Sequence, residues 1–83
     1  MGRPTTVRNA EQLGASIRAA RKKKGWRQVD LARQASMRQQ LISELENGAS
    51  FSRLDTILKV LAALDLDLNV MDRRAPSFDP SEY

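Results

Sequence analysis

The chain has 83 residues, 41% of them hydrophobic, and its 14 Lys and Arg outnumber its 10 Asp and Glu to leave a net charge of +4. That length allows one small domain, which buries only about 60% of its unfolded surface and leans on a partner for stability. Without Cys or His, disulfide staples, Cys/His zinc sites and Ser-His-Asp or Cys-His catalysis are excluded, and no apolar run reaches the roughly 20 residues of a membrane span. No signal-peptide pattern opens the sequence, so a cytoplasmic binding module is expected, with no metal, cofactor or small-molecule ligand.

Residues 1–8, with Pro4 and the bases Arg3 and Arg8, predict a flexible arm. Asn9 suits a helix cap, and Gln12 three residues later completes the pattern of a capping box. Leu13, Ile17 and Ala20 then form a core-facing stripe, which ends at Gly25 after the four bases Arg21 to Lys24. Gly14 costs this helix about 1 kcal/mol against Ala, a cost that a closely packed neighbour would explain.

A second helix is predicted over Gln28–Ala35, with Leu31, Ala32 and Ala35 inward. A third runs from about Arg38 to Glu46, with Ile42 and Leu45 inward behind Met37, and ends at Asn47-Gly48. Ser52 is the expected cap of a fourth helix, whose stripe is Leu54, Ile57, Leu58, Leu61 and Leu64, with Asp55 suited to its N-terminal dipole. From Leu64 to Val70 the pattern alternates apolar and polar, the period of a strand with one buried face. A lone strand needs a partner; a second copy pairing antiparallel across a two-fold axis is the simplest one, and another protein is the alternative. The expected organisation is therefore an arm over 1–8, a helical domain over 9–66, a dimerisation strand over 67–73 and a disordered tail over 74–83.

Charge sharpens this outline. Residues 1–40 hold ten bases and two acids (+8), and residues 41–83 hold four bases and eight acids (−4). A basic surface that meets a polyanion fits this asymmetry; a solvated basic helix end at Arg21 to Lys24, where cations suit the macrodipole, is the plainer reading. The segment Gln28 to Gly48 has helix-turn-helix spacing: Ala32 is small where the next helix crosses it, and Ile42 and Leu45 bury one side of that helix. Arg38, Gln39, Gln40 and Ser43 then project from the other side. A major groove about 12 Å wide admits such a helix, and Arg and Gln bind guanine and adenine edges in two-pronged fashion. Leu41 is placed to touch a thymine methyl or to pack at an interface.

With Arg21, Gly25, Gln28, Leu31-Ala32, Ile42-Ser43 and Glu46-Asn47-Gly48 at matching spacing, the chain resembles the Xre/Cro family of phage-repressor-like helix-turn-helix domains. Ser36 departs from the family, which usually has Gly at that turn position. The resemblance implies a mainly α, lambda-repressor-like domain of four to five helices with one C-terminal β-strand pairing across a homodimer. It also implies that Gln28 touches a DNA phosphate and that Arg21 pairs with Glu46 as a structural ion pair. Gly25-Trp26, Gln39 with Ile42-Ser43, and Asp65-Leu66 before the alternating segment are similar to the HipB-like antitoxins of HipA-type kinase toxin–antitoxin modules. By that likeness Leu66, Leu68 and Val70 line the dimer strand, and the partners are near-palindromic double-stranded operator DNA, a second copy of the chain and a HipA-like kinase toxin. Base contacts then fall to Arg38, Gln39, Gln40 and Ser43, and phosphate contacts to Arg27, Gln28, Lys24 and Arg33. No catalytic residue and no membrane partner is implied, and the expected location is cytoplasmic and nucleoid-associated. The alternatives are a stand-alone Xre-family regulator without a toxin, and a protein-interaction module that binds no DNA.

Overall fold

A computed structural model describes residues 6–49 and 53–73. Among them four helices follow one another: α1 Ala10–Lys23, α2 Gln28–Ala35, α3 Gln39–Glu46 and α4 Leu54–Ala63. The first five residues of the expected arm, the expected cap Ser52 and the expected tail from residue 74 lie outside the described residues. The cap position of α4 is taken instead by Arg53, which makes no side-chain capping bond.

The chain enters α1 through Asn9, whose Oδ1 accepts a hydrogen bond from the Gln12 N–H at 2.7 Å. The Gln12 side chain answers one residue earlier than a capping box requires: its Oε1 accepts from the Arg8 N–H at 2.6 Å, not from that of Asn9. The four helices end alike. Gly25, Ser36, Gly48 and Asp65 each adopt a left-handed backbone, with φ of 75°, 57°, 83° and 59°. The next N–H reaches back to a carbonyl five residues earlier, as in Trp26 to Arg21 at 3.1 Å, Met37 to Ala32 at 2.8 Å and Leu66 to Leu61 at 2.8 Å.

Leu64 was expected both in the α4 stripe and at the start of the alternating segment, and the structure keeps the first reading. Leu64 falls three residues after Leu61, so it fits the helical period as well as the alternating one. Burial decides between them: Leu64 is a buried core residue, and Asp65 turns the chain out of the helix.

Ile17, Leu31, Ile42 and Val60 are the fully buried large side chains, surrounded by Ala32, Ala35, Leu45, Leu61 and Leu64. Leu13, Ala20, Trp26, Met37 and Ile57 pack against this centre at its margin. The stripe expected on α4 holds at Ile57, Leu61 and Leu64 and fails at its edge: Val60, which was not in it, is buried, whereas Leu54 and Leu58 are exposed. Val60 lies one turn after Ile57, and the face these two share rotates Leu54 and Leu58 out of the core.

Helix α3 is the hub, packed against both α1 and α2, and α4 leans on α2. Gly14 permits the α1–α3 contact. A Cβ there would run into the Leu45 carbonyl oxygen and stand 2.7 Å from that of Glu46.

Residues 66–73 form no regular structure within one chain. Leu68, Val70 and Met71 are exposed there, and the strand expected over 67–73 has no partner among the described residues.

Candidate nucleic-acid interface

The α2–turn–α3 unit is built from a small residue, a tight turn and an anchored helix. Ala32 and Ala35 are buried, Ser36 makes the left-handed turn, and Ile42 and Leu45 hold α3 against the core. Arg38 stands one residue before α3 with extended backbone, and its carbonyl accepts from the Leu41 N–H at 3.1 Å. It is therefore the cap residue rather than the first helical one.

Opposite the anchors, Arg38, Gln39 and Gln40 are exposed and Ser43 is half-buried. Gln39 and Ser43 lie one turn apart and share a face. Gln40 turns toward α4: its Nε2 donates to Glu44 Oε2 at 3.3 Å. Gln40, Leu41 and Glu44 line a groove of about 570 Å³ with Asp55, Thr56 and Lys59. The four residues expected at base edges thus divide, with Gln39 and Ser43 on one flank and Arg38 and Gln40 bordering the groove on the other. Leu41 sits in the groove against α4.

Helix α2 carries two of the cations expected at phosphates, Arg27 at its N-cap and Arg33 in its last turn. The Arg27 N–H donates to Asp30 Oδ2 at 2.8 Å, and its guanidinium donates to the same carboxylate at 3.1 and 3.2 Å. Arg33 approaches Asp30 from the other side, with Nη1 3.8 Å from Oδ1. The guanidinium and backbone N–H of Arg27 hold the Asp30 carboxyl below the usual carboxylate range, and the same bonds raise Arg27. The spacing of Asp30, three residues from each arginine, carried this triad in the sequence, where it went unread.

Lys24 is committed elsewhere. Its Nζ lies 2.9 Å from Asp65 Oδ2 and 5.2 Å from the centre of the Trp26 ring, which draws it toward the end of α4.

Gln28 is half-buried, and its Nε2 donates to Glu46 Oε1 at 3.2 Å. Glu46 also accepts from Arg21, from Nε at 2.6 Å and from Nη2 at 3.0 Å, while Arg21 Nη1 donates to the Trp26 carbonyl at 2.7 Å. Hydrogen bonding to Glu46 raises Arg21, opposing the effect of burial, so this group stays charged. The chain Arg21–Glu46–Gln28 runs from the interior to the surface turn of α2. One amide hydrogen of Gln28 is used inside and the other remains for a ligand.

Most exposed bases among the described residues, Arg8, Arg18, Lys22, Lys23, Lys24, Arg27, Arg33 and Arg38, belong to the first half of the chain, and Arg53, Lys59 and Arg73 to the second, in keeping with its charge asymmetry. Among the described residues, no group of three or more Asp or Glu is arranged to hold a metal ion, and no helix is long and apolar enough to cross a membrane.

Comparison with known proteins places this geometry in a family. A helix-turn-helix family model matches residues 17–71. The chain is 31% identical over 71 residues to antitoxin HipB of Escherichia coli (strain K12), an alignment that covers 86% of this chain and 81% of that protein. It is also similar to HipB in a solved HipB-O4 20mer complex, with TM-score 0.77 and 28% identity over 84% of this chain and 99% of that one. The same figures hold for a chain of the solved HipA-HipB-O2-O3 complex. With the buried Ile42 and Leu45, the exposed flank of α3 and these matches together, the chain belongs to the Xre-type helix-turn-helix family, among the HipB-like antitoxins.

Proposed function

We propose that the protein is a dimeric, sequence-specific DNA-binding repressor that serves as the antitoxin of a HipA-like Ser/Thr kinase and represses its own operon. The observation that carries this reading is α3 itself. Ile42 and Leu45 tie one side to the core, and Arg38, Gln39 and Ser43 stay open on the other, in a chain similar to HipB in its HipA-HipB-O2-O3 complex.

In this reading two α3 helices enter successive major grooves about 34 Å apart on a near-palindromic operator. Arg38, Gln39, Gln40 and Ser43 read bases, with Gln40 giving up its bond to Glu44. Gln28 offers its free amide hydrogen to a phosphate, Arg27 and Arg33 neutralise neighbouring ones, and Lys24 joins them only by giving up its bond to Asp65. The dimer joins through Leu66, Leu68 and Val70. Their exposure in one chain, with Leu54, Leu58 and Met71 exposed as well, supports an apolar face that a second copy covers. The cytoplasm, in association with the nucleoid, is the location this activity requires.

The test is a titration of the protein with its own promoter DNA and with random duplex at several salt concentrations, joined to a pull-down of the adjacent gene's product. A specific complex binds about 10³-fold or more tighter than random duplex. Equal affinity for both duplexes would point to a module that recognises acidic partners in general. Specific DNA binding with no kinase-like protein recovered would favour a stand-alone regulator.

A further inference from the structure

We propose that Asp30 is an internal competitor for DNA phosphates, which lowers the affinity of the α2 turn for every duplex alike. The inference rests on the DNA-binding reading and adds to it a residue that sets affinity without choosing sequence. In the first 40 residues only Glu11 and Asp30 are acidic, and Asp30 stands between two arginines. Its carboxylate is within 3.1 and 3.2 Å of the Arg27 guanidinium and within 3.8 Å of that of Arg33.

Holding the start of α2 requires less than this. The Arg27 N–H needs one oxygen, Oδ2 at 2.8 Å, which a neutral amide would supply equally well. The hydrogen bond of the cap thus needs neither the negative charge, which adds a favourable interaction with the helix N-terminus, nor the second oxygen, which is left to the arginines. Exposure points the same way: the side chains of Arg27 and Arg33 are 76% and 71% exposed, and that of Asp30 only 24%. The carboxylate lies beneath two solvent-facing guanidiniums. A phosphate arriving at this turn meets cations already engaged by an anion of similar geometry, and it must displace that anion to form its own paired bonds.

Phosphate neutralisation governs sequence-independent affinity and its salt dependence, with log K falling by about 0.9 per log unit of salt for each phosphate neutralised. Removing the competitor should therefore act on specific and random DNA equally.

The experiment compares wild type, Asp30→Asn and Glu11→Gln on promoter DNA and on random duplex across a salt series, with thermal melts to verify folding. Asn keeps an oxygen for the Arg27 N–H, and Glu11→Gln makes the same change of net charge away from the arginines. The expected result is that Asp30→Asn binds both duplexes about two- to tenfold tighter, with a salt slope steeper by about 0.9 or more. Glu11→Gln should have a smaller effect. Unchanged or weakened binding by Asp30→Asn, a gain confined to the promoter, or an equal gain from Glu11→Gln would each overturn the proposal. Wild type that binds neither duplex would remove the DNA-binding reading itself, and this inference with it.

Discussion

Arg21 and Glu46 are 25 positions apart, yet they share two hydrogen bonds, at 2.6 and 3.0 Å, with side chains only 10% and 3% exposed. The pair fastens the last turn of α1 to the last turn of α3, and the Trp26 carbonyl accepts from the third guanidinium nitrogen, Nη1, at 2.7 Å. Its geometry satisfies both charges, so the cost falls on a variant that removes one partner and leaves the other buried. Arg21→Met should lose about 3–5 kcal/mol in urea unfolding, and Arg21→Met with Glu46→Leu should recover most of that loss. A single variant as stable as wild type would mean that water reaches Glu46 and solvates it.

Gly14 reverses an ordinary rule. An alanine in mid-helix normally gains about 1 kcal/mol over glycine. Here the added methyl would meet the Leu45 carbonyl and come within 2.7 Å of the Glu46 carbonyl, so α1 and α3 must separate. Gly14→Ala should destabilise by about 1–3 kcal/mol, with Tm falling roughly 4–8 °C for each kcal/mol. A raised Tm would show that the helix crossing is looser than described.

Ser36 holds φ at 57° with a Cβ present, at the turn between α2 and α3. Glycine adopts that backbone without strain, while for other residues the left-handed region costs roughly 1–2 kcal/mol. Ser36→Gly should therefore stabilise the fold by about 1 kcal/mol, seen as a higher urea midpoint at unchanged slope. A loss of stability would assign the serine side chain a bonding role.

Asp30 makes stability depend on pH in one direction. Its bonds to Arg27 hold the folded carboxyl below the unfolded value of about 3.9. Around and between those two values the unfolded chain binds more protons, so the stabilisation is complete above about pH 5 and disappears as pH falls through the folded value. The stability difference between wild type and Asp30→Asn should stay constant from pH 8 to 5 and shrink in stronger acid, as read from urea midpoints. A difference that shrinks between pH 7 and 6 would assign the effect to another group.

The parts of this fold that local rules dictate were legible in the sequence. Helix α2 spans the expected Gln28–Ala35 with Leu31, Ala32 and Ala35 inward, and Ile42 and Leu45 follow from helical spacing alone. Legibility failed where two periods coincide or where partners are distant along the chain. Leu64 satisfies both the helical and the alternating pattern, and only packing shows that it closes α4. Leu54 and Leu58 look like core by hydrophobicity, but which side of α4 faces α2 is a tertiary fact. Lys24 resembles a free phosphate ligand until Asp65, 41 positions away, arrives beside it. The Gln28 bond to Glu46 has the same character: no local pattern links residues 18 positions apart.

Gln39 carries the sharpest expectation about recognition. It is exposed in the first turn of α3, one turn before Ser43, and it has no side-chain hydrogen bond to any described residue. Gln40 by contrast is held by Glu44 at 3.3 Å and must exchange that bond for a base. A glutamine free to present both amide groups to an adenine edge contributes about 1–3 kcal/mol of discrimination. Gln39→Ala should weaken binding to the promoter by that amount, relax discrimination at one base pair in each half-site, and leave random-duplex affinity and the salt slope unchanged. Gln40→Ala should cost less, because the wild-type side chain gives up the Glu44 bond when it binds. An equal loss from Gln39→Ala on every duplex would make Gln39 a phosphate contact and move base reading to Arg38 and Ser43.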